Sequence, residues 1–394
     1  MLLMGGNLST QLINEGQTRL EVPELERFRT RAGDYAPSLT RVFYNPHMEL
    51  CRDLSVSAVQ ALASELGALC VCDPLAGVGV RGLRYAKEVK GVARVIVNDL
   101  SLDAVEFIRR NIELNGLSSV EVRNEDANTL LWRRAPRFHF VDLDPFGSPA
   151  SFVDAACASL LRRGMLALTA TDTAPLSGTH AKACIRRYGA KPLKTEYGHE
   201  LGVRILIGFC QRVAGKYELA FTPVLAHATR HYFRVYLLGR RGAGATNEVL
   251  ANQGYVSHCR ACGHRSLISG LVPELPPKCE CGGKLDHAGP LWLGRLGDKE
   301  FIGRMIDDLA RRNFRLGQQE LTLLNLCREE TDGPPAFYDA HEFAGRVGVS
   351  PPKIFELIGK LRKQGYFASR THFSGTGFRT DAPMGEIVKI FKRA

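Results

Sequence analysis

Four short apolar runs, each leading to an aspartate and separated by helix-patterned stretches, constrain this chain more than any other feature. They are residues 68–73, ending at Asp73; 92–98, followed by Asp99; 120–123, followed by Asp126; and 138–141, followed by Asp144. Residues 56–66 and 102–114 repeat apolar side chains at helical spacing, and Asn115-Gly116 stops the second of these. Residues 152–161 read as another helix and 165–169 as a fifth strand. Strands alternating with helices require a parallel, doubly wound sheet. Such a sheet presents its ligand loops at the carboxyl ends of the strands. Acids at four successive strand ends weigh more together than any one of them.

The fourth run continues as His139-Phe140-Val141-Asp142-Leu143-Asp144-Pro145-Phe146-Gly147-Ser148-Pro149-Ala150. A carboxylate, a proline and an aromatic ring at a strand end suit one task well. Asp144 is able to accept an N–H from the exocyclic amino group of a flat base, and Phe146 to stack on its ring. The plain alternative is a strand ending in a proline turn, with Asp144 as a local cap. Asp142, two residues earlier, shares the strand face of Asp144 and reads as a structural acid.

Gly77, Gly79 and Gly82 form a Gly-x-Gly-x-x-Gly turn after the first strand, and Gly77 to Lys87 reads as a Gly-rich turn entering a helix. Such a turn lets backbone approach a nucleotide, and by itself it fits a nicotinamide dinucleotide equally well. Asp99 stands where an acid accepts ribose hydroxyls, a feature shared by both cofactor classes. Asp126 followed by the small Ala127 favours an adenine amino edge. Arg52 and Arg81 offer guanidinium forks for a cofactor carboxylate, or else ordinary ion pairs. The rival readings are a nicotinamide-dependent oxidoreductase and a DNA-binding regulator with a ligand-sensing domain.

With 394 residues, 45% hydrophobic and 24% charged, the chain has the size and composition of two or three globular domains. Its net charge of +11 suits a polyanionic partner. No run reaches the ~18 apolar residues of a membrane span, and the first ten residues do not form a signal peptide. A cytoplasmic protein is expected. Cys70, Cys72, Cys157, Cys184 and Cys210 lie in apolar segments and read as buried hydrophobes.

The remaining clustered cysteines carry chemistry. Cys259-Arg260-Ala261-Cys262 and Cys279-Glu280-Cys281 form two close pairs, each followed by a glycine. This spacing predicts a structural zinc site over residues 258–287, with a redox pair as the alternative. His258, His264 and His287 are spare ligands. Residues 204–210 and 232–238 are expected to add a strand pair to the sheet. Residues 240–246 read as a linker, dividing a cofactor-binding domain over 1–240 from a C-terminal α+β domain over 241–394. In the latter, residues 341–347 and 352–364 read as helix–turn–helix and 366–373 as a strand, an order like a winged helix. Lys353, Lys360, Arg362, Lys363, Arg370 and Arg379 would face nucleic acid.

The chain resembles the tRNA (guanine-26-N2)-dimethyltransferases, particularly archaeal members. The resemblance rests on Phe43-Tyr44-Asn45-Pro46, Arg52-Asp53, Arg81-Gly82, Asn98-Asp99, Glu125-Asp126-Ala127, the octapeptide Asp142 to Pro149, Ala170-Thr171-Asp172, His231-Tyr232-Phe233-Arg234 and Thr371-His372-Phe373. It departs at Leu75-Ala76-Gly77-Val78-Gly79, where the family has a Ser-Ala-Thr-Gly type loop. The resemblance implies a Rossmann-like class I methyltransferase domain and methyl transfer from S-adenosylmethionine to guanine N2 in tRNA. Arg52, Arg81, Asp99, Asp126 and Ala127 would contact the cofactor. Asp144 would accept the guanine amino protons between Phe43 and Phe146. A related RNA guanine-N2 or nucleic-acid amino methyltransferase is the neighbouring expectation. A monomer acting on tRNA, away from membranes, is expected.

Overall fold

The computed structural model describes residues 9–24, 40–133, 135 and 137–392. Most of the residues before 40 lie outside them. The chain divides into two compact units. The first gathers the described residues up to Asp144 with Ala158–Gly164 and Arg304–Leu321; the second takes Pro145–Cys157, Met165–Gly303 and the described residues from Thr322 onward.

The first unit opens with an antiparallel hairpin of β1 (Thr10–Glu15) and β2 (Thr18–Pro23). Then follow α1 (Glu49–Leu66), β3 (Leu69–Asp73), α2 (Val80–Glu88), β4 (Val92–Asn98), α3 (Leu102–Asn115), β5 (Val120–Arg123), α4 (Ala127–Trp132) and β6 (Phe138–Leu143). The four later strands are parallel, in the order β5-β4-β3-β6. The order steps outward from β3 through β4 to β5 and then returns to the other side of β3. That reversal opens a crevice at the carboxyl ends of β3 and β6, where Asp73 and Asp144 stand.

Local signals set the element ends. Ser101 Oγ caps α3 by accepting from Ala104 N at 3.4 Å, and Gly116 ends it at φ +62°. Gly82 presses α2 onto β4: a Cβ there would meet Val97 Cγ2 at 2.5 Å. Leu20, Val22, Val78, Leu83 and Phe107 form a buried cluster that ties the hairpin to the glycine turn and α3.

The second unit contains α5 (Val153–Ser159), β7 (Leu160–Ala170), α6 (Thr173–Leu176), α7 (Ala181–Tyr188), α8 (Gly198–Gly215), β8 (Leu219–Thr229), β9 (Tyr232–Arg241) and α9 (Ala243–Ala251). The unit division cuts through α5 and β7. β9 pairs antiparallel with both β7 and β8. Residues 204–210 are therefore helix α8 and not a strand. This stretch is buried nearly all round, and a short apolar run of that kind carries no period that separates helix from strand. Arg204 reaches Glu200 one turn back at 2.8 Å, a helical pairing. The strand partner of β9 is β8, which the sequence reading missed. The expected linker is also corrected. β9 runs through Arg241, Gly242 turns at φ +142°, and α9 begins at once.

β10 (Gln253–Cys259), β11 (Arg265–Ser269) and β12 (Leu285–Trp292) form a small antiparallel sheet in the order β11-β10-β12. α10 (Lys299–Leu309) and α11 (Gly317–Glu330) lead to the last module. There β13 (Tyr338–Asp339), α12 (Ala340–Val347), α13 (Ile354–Lys363), β14 (Ala368–Thr371), β15 (Ser374–Thr380) and α14 (Met384–Lys392) enclose Phe343, Leu357, Leu361, Phe378 and Phe391. Asp339 caps α12 by accepting from His341 N and Glu342 N, and Gly348 ends it at φ +74°. The expected helix, turn, helix and strand occur in that order. Among the described residues, no helix is long and apolar enough to cross a membrane.

Candidate active site and cysteine cluster

The glycine turn after β3 brings the first group of expected residues together. Gly77 and Gly79 adopt φ +56° and +85°, conformations that favour glycine. A Cβ on Gly77 would lie 2.6 Å from the Phe43 carbonyl oxygen, and Val78 N donates to that oxygen at 3.3 Å. The half-buried Phe43 is thus laid across the turn by its own backbone. Asp99 accepts from Gly77 N at 2.8 Å and from Ser101 N at 2.9 Å, one bond on each oxygen. Each oxygen keeps a second lone pair for a guest hydroxyl. This small-residue cradle and its half-satisfied acid fit a ribose-bearing cofactor.

Asp126 is exposed and caps α4, accepting from Thr129 N at 3.0 Å, while Ala127 behind it is buried. Asn98 spans the neighbouring loops. Its amide donates to Pro74 O and Glu125 O and accepts from Glu125 N at 3.1 Å.

Arg81 and Asp144 are joined. Arg81 Nε donates to Asp144 Oδ2 at 2.7 Å, and Nη2 lies 2.7 Å from the same oxygen. Arg81 also reaches Asp142 Oδ2 at 3.4 Å and Ser55 Oγ at 3.3 Å. Asp142 is fully buried and accepts from Tyr85 Oη as well, which fits a structural acid. Asp144 is only partly covered, with 15% of its side chain exposed. Both Arg81 contacts fall on Oδ2.

Asp73 is a perturbed acid at the end of β3. It is fully buried, accepts from Gly82 N at 3.0 Å through Oδ2, and has no hydrogen-bond partner on Oδ1. Burial, followed by the neighbouring Asp142 charge, pushes its carboxyl up to about 8.

Arg52 sits in a different group. It is 3% exposed and forks onto Glu15, with Nη2 2.6 Å from Oε2, while Nη1 donates to Asn45 O at 3.0 Å. Glu15 also takes Arg84 Nη1 at 2.9 Å and Tyr44 Oη at 2.9 Å. Burial works to raise the Glu15 carboxyl, but Arg52 and Arg84 outweigh it and hold it at about 2. The sequence reading missed Glu15. Its one signal was an acid at the inward end of β1, beside Gly16 at the hairpin turn.

In the second unit, Phe146 is 66% exposed, which suits a ring offered to a guest. Its loop is tied down locally. Gly147 and Thr171 exchange backbone and side-chain bonds, with Gly147 N donating to Thr171 Oγ1 at 2.8 Å and Thr171 N to Gly147 O at 2.9 Å. Ser148 Oγ meets Tyr188 Oη at 2.7 Å, and Tyr188 Oη donates to Asp172 Oδ1 at 2.7 Å.

The four clustered cysteines converge. The thiol sulfurs of Cys259, Cys262, Cys279 and Cys281 all lie within 4.8 Å of one another. Cys259 and Cys281 are 3.5 Å apart, and Cys262 and Cys279 are 3.7 Å apart. A tetrahedral zinc with Zn–S bonds of ~2.3 Å requires S···S edges of about 3.8 Å, so this donor set fits the metal. Gly263 and Gly282 turn at φ +76° and +84° behind the pairs. Burial acts to raise the Cys259 thiol, but bonds from the backbone N–H groups and neighbouring thiols bring it down to about 7. Two spare histidines are engaged elsewhere: His258 with Tyr197 Oη and His287 with Ser257 Oγ, each at 2.8 Å.

One expected nucleic-acid contact is corrected. Arg379 is 1% exposed and pairs with Glu200 at 2.8 Å and with Glu330, so it braces the interior. Its alternation in β15 points inward, which an isolated arginine does not reveal in sequence. Arg362 and Arg370 share Glu329, each at 3.2 Å, whereas Lys353 and Lys363 are exposed.

Comparison with known proteins identifies the family. The family model described as N2,N2-dimethylguanosine tRNA methyltransferase matches residues 16–392. The tRNA (guanine(26)-N(2))-dimethyltransferase of Methanosphaera stadtmanae is 42% identical over 385 residues, covering 97% of each chain. That of Pyrococcus horikoshii is 37% identical over 402 residues, covering 98% of this chain and 99% of its own. The solved complex of Trm1 from Pyrococcus horikoshii with S-adenosyl-L-methionine superposes with a TM-score of 0.86 at 37% identity, over 96% of this chain and 99% of that one. These matches overturn the oxidoreductase and DNA-binding-regulator readings, and the chain belongs to the N2,N2-dimethylguanosine tRNA methyltransferase family.

Proposed function

We propose that the protein transfers methyl groups from S-adenosylmethionine to the exocyclic N2 of guanine 26 in tRNA, giving N2-methyl- and N2,N2-dimethylguanosine. Family membership along nearly the whole chain carries this reading. When bound, the cofactor supplies an electrophilic methyl group on a sulfonium. Asp99 would hold its ribose, Asp126 and Ala127 its adenine edge, and Arg81 its carboxylate, with help from the hydrogens of Arg52 that Glu15 and Asn45 leave unused.

The guanine N2 lone pair is delocalised into the ring, so the amino group is a poor nucleophile. Oδ1 of Asp144 would accept an N2–H and turn the lone pair out of conjugation. Arg81 fixes the carboxylate through Oδ2 and so sets the direction of that acceptor. After the first transfer one N2–H remains, and the same acceptor serves it. Phe43 and Phe146 would stack on the extruded guanine and offset part of its unstacking.

Residues 1–240 would form the methyltransferase domain. Residues 241–394 would form a tRNA-binding domain with a zinc segment at 258–287 and a winged-helix-like end. The protein would act as a cytoplasmic monomer. Calorimetric titration with S-adenosylhomocysteine and with NAD, followed by mass mapping of a treated tRNA transcript, tests the proposal. Binding of S-adenosylhomocysteine and methylation at guanine 26 are expected. Binding of NAD alone, or methyl groups elsewhere only, would overturn it.

A further inference from the structure

Helix α7 lies in a basic segment of the chain. From Thr173 to Thr195 the chain carries Lys182, Arg186, Arg187, Lys191 and Lys194 and no aspartate or glutamate. Cys184 and Tyr188, one turn apart on α7, are buried. Lys182 and Arg186, also one turn apart, lie on the exposed side, with Ile185 beside them. Ile185 is 50% exposed, an apolar side chain set among cations.

The same helix holds the base-stacking loop. Its last residue, Tyr188, bonds Ser148 Oγ at 2.7 Å, two residues from Phe146. Asp172 then ties Tyr188 Oη at 2.7 Å and Arg187 at 2.9 Å, so the loop and the C-terminal turn of α7 share one anchor. Arg187 is thereby paired with Asp172, while Lys182, Arg186, Lys191 and Lys194 are exposed.

Resting on the tRNA reading above, we infer that α7 is the element that grips the RNA strand on either side of the extruded guanine. Lys182 and Arg186 bind the flanking phosphates, and Ile185 packs against the stack the guanine has left. A run of five cations with no acid within it suits a polyanion. An apolar wedge beside cations is the usual means of stabilising an opened base step. Because Tyr188 and Ser148 join the helix to the loop, strand grip and base stacking are delivered by one rigid piece. Ile185 is a positioning residue here; it acts through the RNA and touches no reacting atom.

The test uses the full-length protein with S-adenosylhomocysteine and a tRNA transcript carrying 2-aminopurine at position 26. Its fluorescence rises when the base leaves the stack. Unmodified transcript serves for turnover. Ile185→Ala is expected to lose most of the fluorescence rise and about tenfold in kcat, the scale of one lost stacking contact. Its S-adenosylhomocysteine affinity should be unchanged, and Ile185→Leu should restore both readouts. Lys182→Ala with Arg186→Ala is expected to weaken tRNA binding about tenfold and to reduce the slope of log K against log salt by roughly 1.4 to 1.8. Its S-adenosylhomocysteine affinity should be unchanged. A wild-type fluorescence rise and kcat in Ile185→Ala, or an unaltered salt slope in the double variant, would overturn the inference. If the wild-type protein methylates no tRNA, the underlying functional reading fails instead.

Discussion

Arg81 Nε and Nη2 both lie 2.7 Å from Oδ2 of Asp144. The cation expected to meet the cofactor therefore grips the acid expected to meet the base. In the proposed site neither binding event is independent of the other. Arg81→Lys keeps the charge and loses the fork, so it is expected to lower kcat/KM by roughly a hundredfold through misplacement of Asp144. A weaker S-adenosylhomocysteine affinity is expected beside it, and titration and steady-state kinetics on the same sample would reveal the two losses together. Wild-type kinetics in Arg81→Lys would show that the pair is incidental.

Metal analysis is expected to find about one zinc per chain, held by Cys259, Cys262, Cys279 and Cys281. Cys259→Ser should lose the zinc and unfold at lower temperature, as should the wild-type protein treated with a chelator. A metal-free protein with an undiminished melting temperature would rule the site out.

The pH dependence of stability follows from Asp73. Its folded carboxyl titrates at about 8, against 3.8 for the ordinary group, so the folded state holds a proton that the unfolded state releases. Stability from this group is full below about 4 and declines as pH rises toward 8. Asp73→Asn keeps an acceptor for Gly82 N and removes the titration. Urea midpoints between pH 5 and 8 should fall with pH in the wild type and fall less steeply in Asp73→Asn. Parallel slopes would contradict the assignment.

Glu15 behaves in the opposite sense. Its carboxyl is depressed to about 2, so its stabilisation is present above 4.5 and is lost as pH falls through 2. Glu15→Gln leaves Arg52 buried beside a neutral group, while Arg84 keeps Glu88 and Asp53. A loss of about 3–5 kcal/mol is expected, the usual cost of breaking a buried ion pair from one side. Equilibrium denaturation measures it, and a loss below ~1 kcal/mol would mean that water or other acids compensate.

The parallel sheet was legible because buried parallel strands read as continuous apolar runs with acids at their ends. β4 and β5 fall on the expected residues, and Gly116 stops α3 where expected. Helix α8 was not legible, since Leu201 to Cys210 is buried on nearly every side and leaves no period. The long-range partners of single charged residues were also hidden. Glu15 meets Arg52 across 37 residues, and Arg379 meets Glu200 across 179. The cysteine cluster was legible because its spacing is itself the constraint. The Arg81–Asp144 pair was not, although both residues had been singled out for separate roles.

The central claim is that Asp144 orients the guanine amino group for transfer. Asp144→Ala and Asp144→Asn should be assayed for methyl transfer to a tRNA transcript and, separately, for tRNA binding. Asp144→Ala is expected to abolish methylation while tRNA affinity stays near that of the wild type. Asn keeps one acceptor oxygen, so partial activity in Asp144→Asn would mark orientation as sufficient, and no activity would mark proton acceptance as required. Full methylation by Asp144→Ala would contradict the account.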